Sequence, residues 1–159
     1  MKGILADQVS AADGSRFVSK TASYEIMFEG GCRCGGVKYT STAAPADITF
    51  CHCRACQQVS GSGFLPFTHV PNKSLTFTHS SSLKTLSLST FADRTFCTGC
   101  GAPITMTYHS EKSLTWLTMS SIDMNSLKGE KPKVERHIFL KEKASWMTLP
   151  DDGGKRFET

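Results

Sequence analysis

The sequence predicts a mostly β domain of antiparallel sheets with few or no long helices, and three observations carry that reading. Short stretches alternate apolar residues with Thr, Ser or charged ones, the period of two that a half-buried strand presents. Gly and Pro punctuate the gaps between those stretches. A helical period is hard to find anywhere along the chain.

In chain order, the predicted strands are Val37 to Thr40, Ile48 to Phe50, Leu75 to Thr78, Leu83 to Leu88, Ile104 to Tyr108 and Leu114 to Met119. Leu75-Thr76-Phe77-Thr78 and Leu83-Lys84-Thr85-Leu86-Ser87-Leu88 contain the alternation most plainly. The best helical candidate is Ile122 to Leu127, one or two turns at most. No internal repeat, long linker or low-complexity block divides the chain. The reading is a loosely held N-terminal arm over residues 1–28, then one β domain over residues 29–159. A polar, glycine-containing tail follows Pro150.

With 159 residues, of which 39% are apolar, the chain suits a single core. No window approaches the roughly twenty consecutive apolar residues of a spanning helix. Met1 to Tyr24 lacks an apolar signal-peptide region, and Asp7 and Asp13 argue against a transit peptide. The expected location is therefore the cytosol, or the nucleus, where thiols stay reduced. The formal charge is +4 with each cysteine counted as neutral. Seven thiolates around two Zn²⁺ ions would bring it to about +1. No basic stripe or extended basic tail marks a nucleic-acid binder, and the oligomeric state has no sequence signature.

The seven cysteines form three clusters: Cys32-Arg33-Cys34, Cys51-His52-Cys53-Arg54-Ala55-Cys56 and Cys97-Thr98-Gly99-Cys100. An odd number cannot pair fully within one chain. Cys-x-Cys and Cys-x-x-Cys spacings are poor for local disulfides but suit chelation of one ion. In an extended segment residues i and i+2 face the same way, so Cys32 and Cys34 can reach one metal. Cys97-x-x-Cys100 followed by Gly101 reads as a zinc knuckle. The three sulfurs of the middle cluster most naturally share one ion. Cys32, Cys34, Cys97 and Cys100 then make a closed, structural four-thiolate site.

The middle cluster, Cys51, Cys53 and Cys56, leaves a fourth position open, as catalytic zinc sites do. His52 could fill it. If Cys51 and Cys53 point one way from an extended strand, however, His52 points the other. It would then bond nearby backbone or line a pocket. Zn²⁺ on three thiolates carries a net negative charge, so it acidifies water less than a histidine site does. Such a soft site favours a thiol bound as its thiolate. The open position thus reads as a seat for a thiol substrate.

The motifs Gly31-Cys32-Arg33-Cys34-Gly35-Gly36-Val37-Lys38-Tyr39, Cys51-His52-Cys53-Arg54-Ala55-Cys56 and Phe96-Cys97-Thr98-Gly99-Cys100-Gly101 resemble the glutathione-dependent formaldehyde-activating enzyme (GFA) family. That group is also called the centromere protein V domain family. Gly61-Ser62-Gly63-Phe64, His137-Ile138-Phe139 and Ser145-Trp146 extend the similarity over roughly Glu29 to Glu158. The resemblance implies a β-tent fold of stacked antiparallel sheets. It implies a structural zinc on Cys32, Cys34, Cys97 and Cys100 and a second zinc on Cys51, Cys53 and Cys56. The implied activity is that of a carbon–sulfur lyase forming S-hydroxymethylglutathione from glutathione and formaldehyde. The alternative is a non-catalytic zinc-binding interaction module.

Arg54 is a candidate for a substrate carboxylate, or it offsets the charge of the metal loop. Gly61 and Ser62 are candidates for a loop approaching the open position, against the plain reading of a turn. His137 and Trp146 read as core or pocket wall, and no role is assigned to His69, His79 or His109. Lys128 to Lys143 mixes Lys and Arg with Glu130, Glu135 and Glu142, as a solvated face does.

Overall fold

The computed structural model describes residues 25–159, so all but the last four residues of the expected arm over residues 1–28 lie outside the described residues. The described chain forms eleven strands: β1 Phe28–Gly31, β2 Lys38–Ser41, β3 Ile48–Cys51, β4 Leu65–Pro71, β5 Leu75–His79, β6 Leu83–Leu86, β7 Ala92–Cys97, β8 Pro103–Tyr108, β9 Leu114–Thr118, β10 Val134–Ile138 and β11 Lys155–Arg156. One short α-helix, α1 Arg54–Ser60, follows β3. The mostly β class is therefore as the alternation predicts. No helix among the described residues is long and apolar enough to cross a membrane.

The strands make two sheets, a three-stranded one in the order β1-β2-β5 and an eight-stranded one in the order β11-β10-β3-β4-β9-β8-β7-β6. Pairing is antiparallel except at one flank, where β10 runs parallel to both β3 and β11. The first core lies between the sheets. Phe28, Val37 and Tyr39 meet Val70, Cys97, Ile104 and Leu117 there, and all are essentially solvent-free. The second cluster covers the other face of the larger sheet. It gathers Cys51, Cys56, Leu65, Phe67, Ala92 and Met106. Alternation along β4 feeds both, since Leu65 and Phe67 face one side and Val70 the other.

A bulge in β8 adjusts this phase. Thr95 pairs with Thr105 while its neighbour Phe96 pairs with Pro103, which leaves Ile104 as the extra residue. Ile104 therefore enters the first core although Met106, two residues on, belongs to the second. β1 and β2 are held together at Gly30, where a Cβ would lie against the Tyr39 ring and 2.6 Å from the Ser121 carbonyl. The Tyr39 hydroxyl and Ser121 Oγ are 2.7 Å apart in that buried contact.

Two expectations fail here. Ile122 to Leu127 is not helical: Ile122 bridges Gly30, and the Asp123 carboxylate accepts the Asn125 N–H at 3.0 Å, closing a turn. Trp146 is not core, because 75% of it is exposed, and it does not line the cavity beside the cysteine trio. His137, by contrast, is fully buried. Lys128 to Lys143 is mostly solvated but contributes β10 at its centre.

Candidate metal centres and the adjoining cavity

Two cysteine clusters converge, one on each side of the larger sheet. Cys32, Cys34, Cys97 and Cys100 place their sulfurs within 4.8 Å of one another. The Sγ atoms of Cys32 and Cys34 are 3.5 Å apart, and those of Cys34 and Cys97 3.6 Å. Four sulfurs each about 2.3 Å from a central zinc stand about 3.8 Å apart along the tetrahedron's edges. The cradle is thus already near the geometry a zinc ion requires. Backbone donors serve the sulfurs: Val37 N–H points at Cys32 Sγ at 3.2 Å. Backbone contacts from Ala102 and then Cys34 lower the Cys100 thiol to about 6. Gly101, at φ 73°, closes the knuckle with its N–H on the Cys97 carbonyl. A Cβ on Gly99 would press the Cys34 sulfur at 3.3 Å.

The second cluster forms where β3 turns into α1. Cys51 ends the strand, and Cys53 is the N-cap of α1, its sulfur accepting the Cys56 N–H at 3.4 Å. Cys56 lies in the helix's first turn. The trio's sulfurs fall within 4.8 Å of one another, and no His, Asp or Glu among the described residues completes that group. Hydrogen bonds from Cys51 and then Cys56 hold the Cys53 thiol far down, to about 2. Contacts with Cys53 and Cys56, with burial added, push Cys51 up. Three sulfurs this close cannot all ionise without a cation among them, so in its absence they retain protons between them. A dication would release those protons and make all three thiolates.

His52 turns away from the trio and is wholly buried. Its Nε2 lies 3.0 Å from Nδ1 of His137, whose Nε2 in turn meets the Asp152 carboxylate at 3.1 Å. With Asp152 accepting from His137 Nε2–H, His137 Nδ1 becomes the acceptor for His52 Nε2–H. Burial, and then the neighbouring His137, hold the His52 pKa low. The strand alternation that sends His52 opposite Cys51 and Cys53 is thus realised. His52 and Glu142 are joined through Gln57, whose Nε2 donates to both backbone carbonyls, at 2.6 and 2.8 Å. That clamp fixes the first turns of α1.

A cavity of about 470 Å³ opens beside the trio, with Cys51, Cys53 and Cys56 on its wall. Its charged lining is Arg94 of β7 and Glu142. The Arg94 guanidinium donates to Cys56 Sγ at 3.4 Å and sits over the Phe67 ring, 5.9 Å from its centroid. One oxygen of the Glu142 carboxylate accepts the Arg54 N–H at 2.7 Å, which ties it to the start of α1. Arg54, Gly61 and Ser62 do not line this cavity. The Arg54 side chain is exposed, Gly61 (φ 64°) is the C-cap of α1, and Ser62 N–H bonds Ser60 Oγ at 3.2 Å. Arg94 was missed by sequence reasoning because it lies 38 residues from Cys56. One signal existed. Arg94 stands at an odd offset from Cys97 on a strand, so a charge there faces the side opposite the four-cysteine cluster.

Fold and site together define a small, mostly β protein with two cysteine clusters, each able to hold a metal ion. Residues 27–142 match the model of the glutathione-dependent formaldehyde-activating enzyme family, and the chain belongs to that family. Among curated proteins it is similar to an uncharacterized lyase of Schizosaccharomyces pombe, 26% identical over 86 residues. The match covers 54% of this chain and 61% of the relative, so the chain spans under two thirds of that protein's length. A crystal structure of a Rhodobacter sphaeroides protein shares the fold, with a TM-score of 0.50 at 20% identity. That match covers 65% of this chain and 91% of the other.

Proposed function

We propose that the chain is a zinc-dependent carbon–sulfur lyase acting on the adduct of a thiol with a small aldehyde. Glutathione and formaldehyde are the pair that the family's name specifies. The observation that carries the reading is a trio of cysteine sulfurs on the wall of a cavity, with no His, Asp or Glu among the described residues completing the group. In this reading Cys32, Cys34, Cys97 and Cys100 hold a structural zinc, and Cys51, Cys53 and Cys56 hold a second. A zinc ion on three thiolates supplies a soft Lewis acid that favours a thiol as its thiolate.

The remaining work falls to the protein's own side chains. In the cleaving direction the adduct's C–S bond breaks with its electron pair moving to sulfur. The hydroxyl proton passes to solvent water at the cavity mouth and the C=O bond forms; synthesis is the reverse. Arg94, beside Cys56, offsets the anionic sulfur and is placed to donate to the alkoxide that develops on the way. It takes the role that the sequence suggests for Arg54. The largely apolar walls lower the polarity around that interaction, which strengthens it. Holding thiol and carbonyl together makes a bimolecular addition effectively intramolecular.

Exchange NMR on glutathione with ¹³C-formaldehyde tests this. The zinc-loaded protein should accelerate interconversion of free and adduct carbon. Cys53→Ser should keep its fold, retain metal at the four-cysteine site and show no acceleration. Acceleration by Cys53→Ser equal to the native rate would remove the trio from the chemistry.

A further inference from the structure

The cavity is much larger and more apolar than formaldehyde needs. A volume of about 470 Å³ is that of about sixteen water molecules at roughly 30 Å³ each. Formaldehyde contributes a single carbon and a single oxygen. The walls are Phe67, Phe91, Met106, Tyr108, Trp116 and Phe139. Arg94 is the cationic side chain that lines this space, and Glu142, with one oxygen on the Arg54 N–H, is the anionic one. One cation and one partly engaged carboxylate leave glutathione's two carboxylates short of partners there.

The aromatic wall is also maintained at a cost. Phe139 has φ 60° and ψ 42°, the left-handed region, and is the non-glycine residue with positive φ among the described residues. A bulky side chain in that conformation is disfavoured and persists where the surroundings impose it. Phe139 directly follows β10, whose Ile138 pairs with Cys51, and its ring lines the cavity 37% exposed. Phe91 is 61% exposed on the same cavity, and its ring stacks on Tyr108 at 6.4 Å. Tyr108 meets Trp116 edge to face at 6.0 Å. A box of rings thus stands beside the three sulfurs, with its outer members facing solvent.

Resting on the lyase reading above, we propose that this box selects the carbonyl half of the adduct. The preferred substrates are hemithioacetals of bulky apolar aldehydes, aromatic ones above all. The adduct's sulfur lies at Cys51, Cys53 and Cys56 and its oxygen toward Arg94. The aryl group fills the ring-lined space, and the hydrophilic remainder of the thiol projects through the mouth. The bond changes are those already given, with an aryl group in place of a hydrogen on the carbonyl carbon.

Trp116 supplies the readout. The chain has two tryptophans, and the other, Trp146, is exposed and does not line this cavity. Trp146→Phe therefore leaves Trp116 as the reporter. In that background, with cobalt or zinc loaded, glutathione mixed with benzaldehyde should quench Trp116 at concentrations at least tenfold below those needed with formaldehyde. Burial of the ring's apolar surface is the source of that difference. Phe139→Gly, which suits the left-handed backbone, combined with Phe91→Ala, should abolish the tenfold preference. The cobalt spectrum's response to glutathione alone should survive those changes. Equal affinity for the two adducts, or a preference that persists in the double variant, overturns the proposal. A cobalt spectrum indifferent to every thiol instead overturns the lyase reading beneath it.

Discussion

Arg94→Met removes the cation that faces the trio while keeping an apolar side chain over Phe67. A unit charge 3.4 Å from a thiolate is worth about 5 kcal/mol at an effective dielectric of about 20. The guanidinium is only half-buried, and screening by solvent reduces this to about 1–2 kcal/mol. At about 1.4 kcal/mol per pH unit, the trio's thiolates lose about one unit of stabilisation. The sign follows from the charge: a nearby cation lowers a thiol's pKa, so its loss raises it. After mild chelation empties the trio, the pH midpoint for iodoacetamide labelling, read by mass spectrometry on the Cys51–Cys56 peptide, should rise by about one unit. Arg54→Met should leave it in place, because that side chain is exposed and absent from the cavity. An unmoved midpoint in Arg94→Met, or an equal rise in Arg54→Met, would refute the assignment.

The other substitutions probe the scaffold. Cys97→Ser opens the four-sulfur cradle at its fully buried member, and metal and fold should be lost together on circular dichroism and metal analysis; a folded variant with two metals would dissolve the partition. Gly30→Ala should cost about 1–3 kcal/mol in denaturant midpoint, since its Cβ meets the Tyr39 ring and a backbone carbonyl. Against desolvation, which raises it, the Gly154 N–H and His137 hold the Asp152 carboxyl below the ordinary range. That contribution is present above about pH 4 and lost as acid protonates the group. Asp152→Ala should therefore lower the melting temperature at pH 7 and flatten its decline below pH 4.

Much of this was legible in the sequence where the signal is local. Leu75–His79 and Leu114–Thr118 alternate because one face of each meets a core, and both fall where the pattern puts them. The cysteine partition follows from spacing within each cluster, and the sulfurs converge accordingly. Long-range features were not legible. β4 begins and ends beside Pro66 and Pro71, which read as breaks. β10, Val-Glu-Arg-His-Ile, looks like a solvated run until its parallel pairing with β3 buries His137. The helix α1 has no apolar stripe and is capped by a cysteine sulfur rather than by Ser, Thr or Asp. Nothing in the residue pattern therefore marks a helix there. Arg94 enters the site through sheet order, and no spacing in the chain announces it.

In the proposed function, three sulfurs at the junction of β3 and α1 hold an ion and leave one coordination position for an incoming thiol. Cobalt-substituted protein, carrying metal at both clusters, tests this by its visible absorption. Glutathione should shift the bands of one of the two cobalt ions and saturate at one thiol per chain, and the shift should vanish in Cys53→Ser. Bands that stay fixed at saturating thiol, with two ions bound, would show that the trio's ion is already closed.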